Sequence, residues 1–320
     1  MLRSLEPFRI VSYNVRYFGH ALRGLASTRR SRDGIAQGLA QLHPLPHLIC
    51  LQEVEAKSLR SRAAFRAPST QTQLESFMDA FAAAFAKSGR PFPFEAFYFP
   101  AHAYTLGTTA LYTTGLAILV NTAKLKVEND NADAPEHITH HHVVRMKLRK
   151  QSRICAHLQL RDSRGRTLHL FNTHLSLPTP FAREFWAVKD KMGFGVNQVE
   201  EARKLALFVA RLSGKSPFIV CGDFNSPPGS PVYEMLTREA HFTGAQECLK
   251  QIDPAESRGF PTAGFLRLRM HLDHLFSGNG ISWRDLDGTQ PFGEGPFYGL
   301  SDHVPLIARF TLPDARGPTR

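Results

Sequence analysis

The stretch Ser216-Pro-Phe-Ile-Val-Cys-Gly-Asp-Phe-Asn-Ser226 runs an apolar segment, Phe218 to Cys221, into a glycine and then into a carboxylate and an amide, Asp223 and Asn225. Short apolar runs bounded by Pro and Gly read as buried strands. Layered α/β folds bind ligands just beyond the carboxyl ends of such strands, so Asp-x-Asn there places oxygen ligands where chemistry happens. The arrangement recurs along the chain. Phe8–Tyr13 ends on Asn14, His47–Leu51 on Gln52-Glu53, and Leu168–Phe171 on Asn172-Thr-His174. Met270–Phe276 carries Asp273 and His274, and Ser301-Asp302-His303 stands directly before Val304–Phe310. Six strand ends thus present Asn, Glu, His, Asp/Asn, Asp and Asp/His, the groups used for hard-metal coordination and proton transfer.

The elements that must position these residues alternate regularly. Helices are predicted over 28–43 and 73–88, the second from Leu74, Phe77, Met78, Phe81 and Phe85 at helical spacing. An amphipathic helix is predicted over 196–213, with Val199, Ala202, Leu205, Ala206 and Val209 on one face. Ser230-Pro231 starts a short helix by N-cap and N1 preference. Further strands are predicted at 94–99, 116–121, 143–148 and 154–160, and Arg161–Arg166 turns the last of these into 167–172 as a hairpin. Phe92, Phe94, Phe97 and Phe99 are expected on the core face of one strand.

Length and composition bound the rest. A chain of 320 residues with motifs spread over all of it predicts one domain over 1–312 and a disordered tail over 313–320. Apolar content of 42% and charged content of 21% are ordinary for a globular protein. Cys50, Cys155, Cys221 and Cys248 form no CxxC pair, and no signal-peptide or membrane-spanning pattern is seen, so a cytoplasmic location is expected. A net charge of +11 suits a polyanionic partner such as nucleic acid or an anionic membrane face. An arginine-rich source proteome gives the same charge without a partner. Arg23, Arg29, Arg30 and Arg32 follow the first strand, and Lys57, Arg60, Arg62 and Arg66 follow Glu53. These clusters flank a cleft or else form solvated faces.

The ordered set Ser12-Tyr-Asn-Val-Arg16, Leu51-Gln-Glu-Val54, Asn172-Thr-His-Leu175, Gly222-Asp-Phe-Asn225, Leu272-Asp-His-Leu275 and Ser301-Asp-His303 resembles the endonuclease/exonuclease/phosphatase superfamily, from residue 8 to about residue 310. The resemblance implies a four-layered α/β sandwich, two mostly antiparallel central β-sheets flanked by helices. It implies a Mg²⁺-dependent phosphoesterase, with Mn²⁺ the substitute ion. Glu53 and Asn14 are the implied metal ligands, with Asp302 a second carboxylate for the ion. Asp223 activates or orients the attacking water, and Asn225 holds that water or the phosphate. His303 contacts the phosphate with Asp273 on its other ring nitrogen, and His174 falls where several members place a second histidine. Arg16, Asn172, Arg183 and Trp186 are the expected substrate-binding residues.

Departures from subfamily patterns narrow the substrate. Arg16 and the run Gln52-Glu-Val-Glu55 stand where exonuclease-III-type enzymes carry an Asn and a Lys, which disfavours an abasic-site endonuclease. The 176–195 segment interleaves Phe181, Phe185 and Trp186 with Arg183, Lys189 and Lys191. That mix suits base stacking beside phosphate contacts, an interfacial lip against lipid headgroups, or a loop folded on its own aromatics. A monomeric nuclease acting on nucleic acid is the expected function. An enzyme for an anionic lipid headgroup or a small phosphoester is the alternative, and a non-catalytic nucleic-acid-binding module the third reading. His137 with His140–His142 is expected as an exposed polar loop and not a metal site. A serine-nucleophile triad within Ser301-Asp302-His303 is disfavoured, because sequence neighbours on a strand face opposite ways.

Overall fold

A computed structural model describes residues 6–19, 28–55, 71–106, 109–140, 152–178, 192–256, 259–265, 268–286 and 290–314. Its strands are β1 (Phe8–Asn14), β2 (Leu48–Val54), β3 (Phe94–Leu106), β4 (Thr109–Asn121), β5 (Leu125–Asp130), β6 (Glu136–His137), β7 (Ile154–Asp162) and β8 (Thr167–His174). They continue as β9 (Phe218–Asp223), β10 (Thr243–Gly244), β11 (Ala263–Phe265), β12 (Leu268–Met270), β13 (Asp273–Gly278), β14 (Ser282–Asp285) and β15 (Leu306–Thr311). The main helices are α1 (Arg29–Ala40), α2 (Gln73–Lys87) and α3 (Val196–Ser213).

Sheet I runs β14-β15-β1-β2-β4-β3 and sheet II runs β10-β13-β9-β8-β7-β5, with β6 beside β7. Each has one parallel pair at its centre, β1/β2 and β8/β9, and its other neighbours are antiparallel. A parallel pair needs a crossover long enough for a helix, and α1 and α3 supply the two crossovers.

Strand side chains alternate between faces, and the alternation divides the apolar residues into three cores. Ile10, Leu48, Ile118, Leu158, Leu170, Ile219 and Leu306 fill the space between the sheets. Val11, Ile49, Leu119 and Ile307 turn outward onto α1 and α2. Phe171, Val220 and Phe276 pack on the α3 side, against Ala202, Leu205 and Val209. The layers are therefore helix, sheet, sheet, helix, as the resemblance implies. Phe77, Phe81 and Phe85 of α2 are fully buried, about 5–9 kcal/mol of apolar burial before ordering entropy is subtracted. A capping box fixes where α2 starts: Glu75 N donates to Thr72 Oγ1 at 3.1 Å, and Thr72 N donates to Glu75 Oε2 at 2.6 Å.

Four expectations need correcting or placing. The four phenylalanines do not share a face: Phe92 and Phe94 pack under α2, whereas Phe97 and Phe99 face the inter-sheet core. Positions 94 and 97 have opposite parity, so no strand can put both on one side. The apolar run Met270–Phe276 breaks in two, with Asp273 opening β13. The expected strand 143–148 and residues 315–320 of the expected tail lie outside the described residues. No helix among the described residues is long and apolar enough to cross a membrane.

Candidate active site

Climbing each central strand in steps of two, the inter-sheet face passes from apolar to polar. Leu48 and Cys50 lead to Gln52; Leu168 and Leu170 lead to Asn172 and then His174; Ile219 and Cys221 lead to Asp223; Ile10 leads to Ser12 and Asn14. The middle tier ties the sheets together. Gln52 Nε2 donates to Asn172 Oδ1 at 2.8 Å and to Ser12 Oγ at 3.2 Å, and Asn172 Nδ2 donates to the carbonyls of Leu51 and Ala117. The top tier is the candidate site. In register, His174 of β8 pairs with Asp223 of β9, and Asp223 pairs with Asp273 of the antiparallel β13.

Glu53 breaks the alternation. Its position would face the helices, but β2 carries a bulge there: Gln52 pairs with Leu116 and Val54 with Gly115, skipping Glu53. The residue adopts φ 57°. Bulges re-aim single side chains beside functional sites, and this one brings the Glu53 carboxylate to Asn14, whose Nδ2 donates to Glu53 Oε1 at 3.3 Å.

Asp223 is the hub. Its Oδ2 accepts from Asn14 Nδ2 at 3.0 Å and lies 3.5 Å from His174 Nε2 and 3.6 Å from His303 Nε2. Its Oδ1 accepts from the Asn225 backbone N at 3.0 Å. Asn225, itself at φ 49°, turns its side chain back so that Nδ2 donates to Leu175 O at 3.0 Å and lies 3.2 Å from His174 Nε2. His303 Nδ1 donates to Asp273 Oδ2 at 2.8 Å, and Asp273 Oδ1 is buried without a partner among the described residues.

Burial and charge set the protonation pattern. Burial would lower His303, but the Asp273, Asp223 and Asp302 carboxylates outweigh it and push the imidazole up to about 10. His174 is held well below its usual range by burial, with Arg153 and His303 adding to the effect. Burial raises Asp223, to about 7, against the pull of His303. Burial and the Asp302 charge raise Glu53, while His303, Asn14 and Arg153 oppose the shift. The site therefore pairs one cationic and one neutral imidazole with carboxylates that burial has made reluctant to ionise.

The structure brings Asn14, Glu53, His174, Asp223, Asn225, Asp273 and His303 together. Asp302 and Arg16 pair with each other, Arg16 Nη1 to Asp302 Oδ2 at 2.6 Å, at the partly exposed edge. Asn172, expected to bind substrate, is fully buried one tier below His174, with its amide engaged between the sheets. Arg183 and Trp186 lie outside the described residues, as do Arg23 and the cluster Lys57–Arg66; Arg29 and Arg30 are exposed on α1. His137 is exposed on β6, and His141 and His142 lie outside the described residues. Ser301 Oγ donates to Asn14 O at 2.7 Å and braces the backbone there. Sequence reasoning missed Arg153, Gln198 and Glu201. Arg153 is 9% exposed and its charge reaches Glu53 and His174. Gln198 and Glu201, fully buried on the first turns of α3, hold Ser176 and Asn225 from behind.

Glu53, Asn14 and Asp302 carry oxygen donors of the kind a hard divalent cation takes, with Asn14 Oδ1 accepting from Arg16 N at 3.0 Å and Asp302 paired with Arg16. Asp223, Asp273 and His303 bring ligand atoms within 4.8 Å of one another as a second acidic and imidazole cluster, although in it His303 Nδ1 is already bonded to Asp273.

The model of the Endonuclease/Exonuclease/phosphatase family matches residues 11–303. The chain belongs to that family. Solved structures share its fold at low identity. The human nocturnin catalytic domain with bound sulfate anion is 18% identical at TM-score 0.60, over 96% of this chain and 95% of that one. ANGEL2, a 2',3'-cyclic phosphatase, is 15% identical at TM-score 0.62, over 95% of each chain. The mannosyl-6-phosphatase of Bacteroides thetaiotaomicron VPI-5482 is 16% identical at TM-score 0.59, over 95% of this chain and all of that one. Among curated proteins none matches in sequence. Family and fold make this chain a phosphoester hydrolase.

Proposed function

We propose that this protein is a Mg²⁺-dependent nuclease, cleaving a phosphodiester of nucleic acid by attack of a water activated at Asp223. The observation that carries the reading is the convergence on one oxygen, Asp223 Oδ2, of Asn14 Nδ2, His174 Nε2 and His303 Nε2 within 3.6 Å. Glu53 and Asn14 would hold the ion, with Asp302 beside them. Bound there, the ion supplies charge neutralisation to a phosphate oxygen and to the leaving oxygen.

The remaining steps belong to the side chains. Asp223 accepts the water's proton. Its buried carboxylate is oriented by Asn14 and the Asn225 backbone, so little reorganisation is needed. His303, kept charged by Asp273, presents Nε2–H to a phosphate oxygen, and the Asp273 bond fixes its tautomer. Neutral His174, backed by Asn225, offers a further contact without a counter-charge for Asp223. Net charge of +11 supports a polyanionic substrate, and a cytoplasmic monomer remains part of the proposal. Cleavage of plasmid DNA, single-stranded DNA and RNA with Mg²⁺, lost with EDTA and in Asp223→Asn, is the expected result. Turnover confined to lipid headgroups or small phosphoesters would replace the nuclease reading with that class.

A further inference from the structure

Both donor-bearing strands of sheet I leave the sheet through left-handed backbone. After Asn14 and Val15, three non-glycine residues in succession, Arg16, Tyr17 and Phe18, adopt φ of 44°, 53° and 51°, and on β2 Glu53 adopts φ 57°. Side chains disfavour that region, so such residues persist only where their surroundings hold them. Within the first exit Arg16 N donates to Asn14 Oδ1 at 3.0 Å. Within the second, the bulge aims the Glu53 carboxylate at Asn14 Nδ2. The placement of both oxygen donors therefore depends on two strained exits keeping their shape.

One side chain joins these exits. Gln73, the first residue of α2, is buried. Its Nε2 donates to Tyr17 O at 2.9 Å, in the middle of the left-handed run, and its Oε1 accepts from Glu55 N at 2.8 Å, two residues past Glu53. While both bonds stand, neither exit can shift independently of the other. The base they work from is firm: Thr72 and Glu75 cap α2 on either side of Gln73. Phe18 stacks on Phe77 of the same helix, with ring centroids 5.0 Å apart. A buried amide costs free energy unless its polar atoms are bonded, and these two bonds are made to the strand exits.

We propose that Gln73 is a positioning residue for the Glu53 and Asn14 oxygens, its one amide locking together the two strand exits that set their spacing. This rests on the reading of Glu53 and Asn14 as ion donors but names a residue which that reading does not use.

The test measures Mn²⁺ binding to the full-length chain by electron paramagnetic resonance, with no substrate and no turnover. Gln73→Leu keeps about the same volume and removes both bonds. Its Mn²⁺ affinity is expected to fall about tenfold or more, the usual effect of removing a group that orients a metal ligand from behind. Gln73→Glu keeps an acceptor for Glu55 N and loses the donor to Tyr17 O, so its affinity should fall between wild type and Gln73→Leu. Thr72→Ala weakens the cap of α2 but leaves the Gln73 amide in place, and its Mn²⁺ affinity should stay at the wild-type value. Wild-type affinity in Gln73→Leu, or an equal loss in Thr72→Ala, overturns the proposal. Should Gln73→Leu not fold, Gln73→Glu and the wild-type chain decide. Coupling between two binding events is reciprocal, so saturating Mg²⁺ must slow hydrogen exchange of the wild-type Glu55 amide; a rate that Mg²⁺ leaves unchanged also overturns the proposal. Glu53→Gln separates the two readings. Mn²⁺ binding lost in Glu53→Gln but kept in Gln73→Leu sinks the Gln73 role alone. Binding untouched by Glu53→Gln sinks the assignment of the ion to Glu53, and this role with it.

Discussion

The two β-α-β units, β1-α1-β2 and β8-α3-β9, solve one problem by different means. Each uses a parallel pair to bring two strand ends side by side, and each lies next to an antiparallel return strand whose approach carries an acid–imidazole component: His303 before β15 and Asp273 at the head of β13. The sheet I unit delivers oxygen donors, Asn14 and Glu53, and must bulge to aim the second. The sheet II unit delivers His174 and Asp223 in direct register, and there the strands approach so closely that Gly222 admits no side chain: a Cβ would sit 2.0 Å from Thr173 O, at φ 148°. On the proposed reading one unit holds a cation and the other moves a proton, and the bulge and the glycine are the local devices that separate them.

The largest effects should follow from disarming each unit separately. Asp223→Asn keeps the size of the side chain but removes the proton acceptor, and kcat should fall by about 10²–10⁴. Its melting temperature should hold or rise, because a buried, desolvated carboxylate is lost; a variant that melts well below wild type would mean that Asp223 is structural. Glu53→Gln should act through the ion, raising the Mg²⁺ concentration for half-activation by about tenfold or more, read from a metal titration of the rate. If Asp223→Asn shifts that titration as strongly as Glu53→Gln, the division of labour between the sheets is wrong.

The positioning devices come next. Gly222→Ala should cost about 2–4 kcal/mol from a clash with the β8 backbone and an unfavourable φ, measured by urea denaturation. Asn172→Ala should cost about 1–3 kcal/mol, because it takes one partner from the Gln52 amide, removes the donor to the Leu51 and Ala117 carbonyls and loosens the tie between sheets, with kcat affected less than in any residue of the top tier.

Much of this was legible because strand and terminal polar residue are adjacent in sequence: Phe218–Cys221 announces Asp223, and Leu168–Phe171 announces His174. What was not legible is non-local. Arg153 stands near Glu53 and His174 because β7 lies beside β8, and nothing in Ser152-Arg153-Ile154 says so. Gln198 and Glu201 are polar residues on what reads as the edge of an amphipathic helix, yet they are fully buried because the 176 segment folds back onto them. Depth was not legible either: Asn172 shares a face with His174 but sits two residues lower and is fully buried.

The smallest effect tests whether the two sheets differ in their response to acid as well as in chemistry. Outside the site, sheet II and its approach carry four buried histidines held below their usual range by burial: His157 at about 3, His271 at about 4, and His169 and His274 lowered in direction. On the sheet I side burial lowers His47 to about 4, and its Nδ1 accepts from Arg9 N at 2.9 Å. A histidine with a depressed folded pKa lends stability that is complete above the unfolded value of about 6.5 and is lost as pH falls toward the folded value. Each can remove up to about 1.4 kcal/mol per pH unit in that window. His303 has the opposite sign: its contribution is full below about 6.5 and disappears as pH rises through about 10. Between pH 6.5 and 4, hydrogen exchange should therefore show amides of β7, β8 and β13 losing protection sooner than those of β1 and β2. Equal loss in both sheets would mean that they open as one cooperative unit, so that the difference between them is confined to the site.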